Sequence, residues 1–149
     1  MVYQIGDMTL QKMQEVFRGK VNDVIVCQDI SSHGKVYYTV LVVHDKEIAR
    51  KLMKLFHNNA STGRNKFVTD YTWKESYLMV FDYVRERSLD QFFSSEILSL
   101  QDCEQMGLNL TVECLAGEIP YPLLYLQLKQ GQIHISKDRS IYLGYCVDL

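Results

Sequence analysis

The chain has 149 residues, of which 47% are hydrophobic and 23% charged, and this composition excludes a wholly disordered protein. The 16 Lys and Arg residues against 18 Asp and Glu residues give a net charge of -2. This balance argues against nucleic acid as the main partner, because phosphate binding needs a basic excess. The N-terminal residues lack the pattern of a secretory signal, and no stretch reaches the roughly 20 apolar residues that cross a bilayer. We therefore expect a soluble globular domain.

The cysteines are isolated from one another in the sequence. No pair has the C-x-x-C spacing, and no His lies at a zinc-ligand spacing from a Cys, so no metal site is predicted. A chain this apolar needs no disulfide framework, so we expect free thiols in a reducing, cytoplasmic compartment. The four residues are Cys27, Cys103, Cys114 and Cys146.

The first predicted strands form a β-hairpin. Residues 24–29 and 35–43 are rich in β-branched and aromatic residues, and the turn-forming residues 31–34 lie between them. A helix is predicted over 46–58, because Asp45 is a good N-cap and apolar residues recur after it at helical spacing. The basic residues of this helix form either a solvated face or a contact surface for an acidic partner or a membrane. They are Lys46, Arg50, Lys51 and Lys54.

A second strand pair is predicted over 66–73 and 76–84. The nearly continuous apolar run of the latter is typical of a central strand that is covered on both faces. Helices follow, a short one after Ser88 and a longer one over 99–116, and capping-box residues begin both.

A terminal β-hairpin is predicted, with strands over 132–136 and 140–146. The chain therefore has a β-rich front half with one helix, then helices, then a hairpin. This order of elements predicts an α+β fold.

The order of elements resembles the protein-kinase fold. Val24–Asp29 is similar to the strand after the kinase glycine-rich loop, Lys35–Val43 to the lysine-bearing strand, and Tyr77–Val84 to the strand and hinge that hold adenine. Residues 133–145 resemble the hairpin between the catalytic loop and the metal-binding triplet. The resemblance implies a kinase-like antiparallel sheet with one C-helix, then helices and a terminal β-hairpin, with the large lobe truncated. Residues 1–149 would be a single domain and the N-terminal part of a longer protein.

The residues that hold the ATP phosphates in kinases are missing from this sequence. A glycine-rich loop lets backbone amides approach the phosphates, and only one of its three aligned positions is a glycine. The strand lysine aligns with Leu41, and the centre of the following helix is basic where the kinase glutamate would stand. The three loop positions are Phe17, Gly19 and Asn22.

The catalytic loop and the metal-binding triplet are missing as well. The catalytic aspartate aligns with Gln127, the magnesium-binding asparagine with Gln132, and the triplet with Tyr145–Val147, which has no carboxylate. The resemblance therefore implies a pseudokinase with no catalytic residue, metal or cofactor. The histidines offer no other chemistry, because none has a nucleophile and an acid in a recognisable order. They are His33, His44, His57 and His134.

The first functional hypothesis is a non-catalytic, pseudokinase-like module that binds another protein or acts as a scaffold in the bacterial cytoplasm. One version of this hypothesis makes it the cytoplasmic head of a bacterial membrane complex, with membrane contact only through a segment downstream of Leu149. The second hypothesis is a metal-independent nucleotide-sensing domain. Its adenine-binding hinge would be Asp82, Tyr83 and Val84. The identity of the protein partner stays open.

Overall fold

The computed structural model describes residues 1–58, 67–83, 87–116, 124–125, 128, 133–135 and 141–143. These residues fall into two compact units, of which the first contains 1–58 and 67–83 and the second the described residues from 87 onward. Each unit has a hydrophobic core of its own. The assignment of 1–149 to one domain stays a prediction.

The first unit is an antiparallel sheet with the strand order β1-β2-β3-β4-β6-β5. Gly6 lies in the turn between the first two strands with φ +56°, a conformation that favours glycine because it has no Cβ. The strands are β1 (Val2–Ile5), β2 (Met8–Arg18), β3 (Asn22–Asp29), β4 (Val36–Val43), β5 (Phe67–Trp73) and β6 (Ser76–Asp82).

Both predicted strand pairs are confirmed. β3 pairs with β4 along its whole length, from Asn22 opposite Val43 to Asp29 opposite Val36. β6 lies between β4 and β5 and is buried over residues 78–81, as its apolar run predicts for a central strand.

The sheet curls into a nearly closed barrel. Its first and last strands approach each other where the rings of Tyr3 and Trp73 meet edge to face, with centroids 5.5 Å apart. Side chains alternate along a strand, so one face of each strand points into the barrel and fills it. This core contains Tyr3, Ile5, Leu10, Ile25, Cys27, Val40, Val42, Leu78 and Val80.

The helix α1 (Lys46–Asn58) packs on β4 and β6, with its basic residues solvent-exposed. Asp45 caps it as predicted, because its Oδ1 accepts hydrogen bonds from the backbone N–H groups of Glu47 and Ile48 at 2.9 and 3.0 Å. The ring of Phe56, buried under the helix, stacks on Phe67 and meets Phe81 edge to face. Apolar side chains on α1 therefore cover the outer face of the sheet.

The kinase-like arrangement predicted from the sequence is wrong. The first unit is a nearly closed six-stranded barrel rather than a kinase-like sheet with a C-helix, and the described residues contain three helices. The N-terminal segment explains the difference, because the β1–β2 hairpin brings Tyr3 and Ile5 into the core and the sheet closes towards itself. Short apolar strings identify single strands, but they do not determine how many strands a sheet has or whether it closes.

The second unit contains two helices and a small antiparallel sheet. α3 begins at the predicted capping box, where the Asp102 N–H donates to Ser99 Oγ and the Ser99 N–H donates to Asp102 Oδ2, both at 3.1 Å. The side chain of Ser88 is outside the part of the chain that the structure describes, so the capping box predicted there stays a prediction. The elements are β7 (Arg87–Ser88), α2 (Leu89–Ser95), α3 (Leu100–Ala116), β8 (Ile133–Ile135) and β9 (Ile141–Leu143).

The predicted terminal hairpin is confirmed over its described residues. β8 and β9 pair antiparallel, from Ile133 opposite Leu143 to Ile135 opposite Ile141. The core of this unit consists of Phe92, Met106, Ile135 and Ile141.

Candidate functional site at the barrel mouth

A cavity of about 520 Å³ opens at one end of the barrel in the first unit. Residues of the barrel strands and of the β5–β6 turn line it, so residues far apart in sequence meet there. Its apolar floor consists of Tyr3, Ile25, Val42 and Trp73, and charged side chains form much of its wall.

The floor is aromatic and well packed. The Trp73 ring meets Tyr3 edge to face, and the tilted ring of Tyr71 has its centroid 6.4 Å from that of Trp73. Burial raises the pKa of the Tyr3 hydroxyl above its ordinary value, so this group stays neutral at physiological pH. The floor therefore offers apolar surface with one phenol group.

Two bulges in β2 build the charged wall. Lys12, Glu15 and Arg18 are spaced by three residues and would alternate between faces in a regular strand. The register shifts once between Lys12 and Gln14 and once between Glu15 and Phe17, and each extra residue returns the next charged side chain to the same face. The three side chains consequently lie together at the cavity.

These three charges form a chain of ion pairs. The Glu15 carboxylate accepts from Lys12 Nζ at 2.8 Å and from Arg18 Nη2 at 3.0 Å. The hydrogen bond from Lys12 is the main cause that lowers the pKa of Glu15; desolvation opposes it, and the charge of Arg18 adds a smaller lowering effect. Two cations around one anion leave this wall with one net positive charge.

Beside this wall, where Asp23 of β3 pairs with Arg18 of β2, the cavity contains a carboxylate, an imidazole and a hydroxyl in contact. His44 Nε2 lies 3.0 Å from Asp23 Oδ2, and His44 Nδ1 lies 3.3 Å from Ser76 Oγ. Asp23 is further fixed by the Gly19 N–H, which donates to Oδ1 at 3.3 Å, and His44 by its own N–H, which donates to the Val21 carbonyl at 2.8 Å. With the ring proton on Nε2, His44 donates to the carboxylate and accepts from the hydroxyl.

The sequence reasoning missed this contact. Asp23 is the second residue of β3, His44 follows the end of β4 and Ser76 begins β6. The pairing of β3 with β4 and of β4 with β6 therefore brings them together. Their spacing in the sequence carries no local signal. The one available signal was the position of the three residues at the ends of predicted strands, over 24–29, 35–43 and 76–84, which meet if those strands pair.

The residues aligned with kinase phosphate-binding groups have structural roles here. Leu41 is 2% exposed and lies between Val24 and Met79 on neighbouring strands. A Cβ at Gly19 would lie 2.8 Å from the Phe17 ring and 3.0 Å from the Asn22 carbonyl, so glycine is required there by packing.

The hinge candidates are only partly described. Asp82 ends β6 opposite Tyr38, and the exposed ring of Tyr83 lies against Tyr37 with centroids 6.0 Å apart. Val84, Gln127, Gln132 and Tyr145–Val147 lie outside the described residues. Nucleotide binding at the hinge stays a prediction.

In the described part of the chain, no group of three or more His, Cys, Asp or Glu side chains is placed to hold a metal ion. None of the helices described is both long and apolar enough to cross a membrane. Comparison with known proteins finds no family model that matches the chain and no curated protein that matches it.

Proposed function

We propose that the chain is a non-catalytic protein-interaction module that binds a segment of a partner protein at the barrel mouth. The observation that carries the proposal is the cavity of about 520 Å³ with an aromatic floor and a charged wall. Binding sites typically combine a concave apolar surface with a few placed polar groups. The site has this form on a scaffold of paired strands, which holds the side chains in place.

The distribution of charge favours a peptide segment over a purely apolar ligand. The β2 wall has one net positive charge, whereas Asp23, the cross-strand neighbour of Arg18, places a negative charge beside His44. A segment with an apolar side chain on Trp73 and a carboxylate towards Arg18 complements both the floor and the wall. The Arg18 side chain is 71% exposed and is accessible to such a group.

A cytoplasmic location is part of this proposal. Cys27 and Cys103 are free thiols, and Cys103 is exposed. Free exposed thiols persist in reducing compartments, which supports the cytoplasm as the place where the module meets its partner.

Selection of peptides tests the proposal. A phage-displayed library of random dodecapeptides is selected on the whole chain, and the affinity of the selected peptides is measured by calorimetry. Arg18→Glu should weaken binding about tenfold or more, because it reverses the accessible charge of the wall. The matched control is Arg50→Glu, since Arg50 is also exposed and pairs with a glutamate three residues away, Glu47, but lies on α1 outside the cavity. Equal effects of the two substitutions, or no selected binder, would overturn the proposal.

The contact between Ser76, His44 and Asp23 favours a second candidate function, ester or amide hydrolysis. Ser76 Oγ would attack a carbonyl carbon while its proton passes to His44 Nδ1, and the protonated ring would return that proton to the leaving group. The binding function is preferred because the imidazole is 39% exposed to water and the Oγ to Nδ1 distance of 3.3 Å is long for this hydrogen bond.

A fluorophosphonate probe separates the two functions, because it labels an activated serine covalently. A non-catalytic module leaves Ser76 unlabelled after prolonged incubation, as read by mass spectrometry of its peptides. Labelling of Ser76 that disappears in His44→Asn would establish the hydrolytic function instead.

A further inference from the structure

β5 is the last strand of the six-stranded sheet and pairs with β6 on one side. Trp73 and Ser76 flank a two-residue turn, and the residues that close such a hairpin bond to each other. The direction of the backbone N–H and C=O groups alternates along a strand, so those of Thr72, the residue before Trp73, face away from β6. The N–H and C=O groups of Asp70, two residues before Thr72, face the same way. The Asp70 carbonyl accepts a long hydrogen bond of 3.4 Å from the Thr69 hydroxyl.

Among the residues that the structure describes, this edge lacks the usual protection against added strands. Natural edge strands carry lysine, proline or inward-pointing charges that prevent pairing. The strand Phe67–Trp73 contains no Lys and no Pro, and Asp70 is its single charged residue. The Asp70 Oδ2 atom lies 2.8 Å from His57 Nε2 of α1. Val68 and Tyr71 are exposed along the same strand. The edge is thus both accessible and weakly charged.

A second cavity lies along this edge. It has a volume of about 380 Å³ and is lined by Met53 of α1 and by Asp70, Tyr71 and Thr72 of β5. The next residue of the strand, Trp73, lies in the floor of the barrel mouth. The two cavities are thus lined by consecutive residues of β5.

We propose that the partner segment binds in extended conformation and adds to the free edge of β5 as a further antiparallel or parallel strand. This inference rests on the proposed function, and it specifies the backbone conformation of the partner. Main-chain hydrogen bonds give affinity in this mode, and alternate side chains enter the cavities. A second copy of this chain is a poorer occupant, because antiparallel pairing about the centre of β5 would place two Asp70 carboxylates side by side.

A scan of N-methylated peptides tests the inference. Each amide of a selected dodecapeptide is methylated in turn, which removes one hydrogen-bond donor. Strand addition to one edge predicts losses of about tenfold at every second position and small effects between them, since alternate N–H groups face the edge. Losses without a two-residue period would overturn strand addition while leaving the interaction itself intact.

A variant of the protein gives an independent readout. Thr72→Pro removes an N–H that faces away from β6, whereas the control Thr72→Val changes the side chain and keeps that N–H. Thr72→Pro should weaken the peptide about tenfold more than Thr72→Val does, with both melting curves recorded to verify folding. Binding of equal strength by folded Thr72→Pro and wild type would overturn the inference. If Thr72→Pro fails to fold, the methylation scan alone decides.

Discussion

Cys27 and Cys103 differ in environment although both are free thiols. Cys27 is fully buried in the barrel core, and this burial raises the pKa of its thiol to about 11 against a smaller opposing effect of Lys12. The thiolate is the reactive form, so a raised pKa and burial both slow its reaction. Cys103 is exposed on α3.

Alkylation of the native protein at mildly alkaline pH should therefore modify Cys103 well before Cys27. Peptide mapping after timed exposure to iodoacetamide measures the two rates. Unfolding in urea should remove the difference, which serves as the control. Equal rates in the native protein would mean that Cys27 is accessible and that the barrel opens readily.

Leu41 provides a direct test of the sheet core at one residue. Its side chain is 2% exposed between Val24 and Met79, so Leu41→Lys removes apolar burial and forces a charge into the core. The substitution should lower the free energy of unfolding by about 3 kcal/mol or more. Leu41→Met, which keeps volume and polarity, should cost much less.

Urea unfolding followed by tryptophan fluorescence measures this effect, because Trp73 is the single tryptophan of the chain and lies at the barrel core. The signal therefore reports the first unit. An unchanged midpoint for Leu41→Lys would show that position 41 faces solvent.

At the scale of elements, the N-terminus of α1 depends on one side chain. Asp45 Oδ1 accepts from two backbone N–H groups that have no partner within the helix. Asp45→Ala should therefore destabilise the first unit by about 1 kcal/mol, whereas Asp45→Asn keeps an acceptor oxygen and should have little effect. The same fluorescence-detected unfolding compares them. A loss as large in Asp45→Asn would indicate that the charge rather than the hydrogen bonds matters.

Elements with local signals could be predicted, and those without them could not. The β3–β4 hairpin follows from its turn residues, and α1 and α3 follow from Asp45 and Ser99 at their starts. The two bulges of β2 were missed because register is set by the neighbouring strand and leaves no mark in the sequence of β2 alone. The charged wall of the site depends on these bulges, so it was missed too.

At the scale of the molecule, closure of the sheet was the feature that sequence reasoning did not predict. The alternation of Tyr3 and Ile5 with polar residues is consistent with a strand at β1. It does not indicate that Tyr3 contacts Trp73, the contact by which the first and last strands of the sheet approach each other. Local strings shared with kinases carry no information about such a contact. The contact of Asp23, His44 and Ser76 depends in the same way on pairing between distant strands.

Chemical-shift mapping of the ¹⁵N-labelled chain, titrated with a selected dodecapeptide, is the most direct test of whether the barrel mouth and the free edge of β5 bind a partner segment. Binding there should shift the signals of the Trp73 indole and of the amides of Arg18, His44 and Thr72. Shifts confined to another surface, such as the exposed Leu108 and Leu115 of α3, would contradict it.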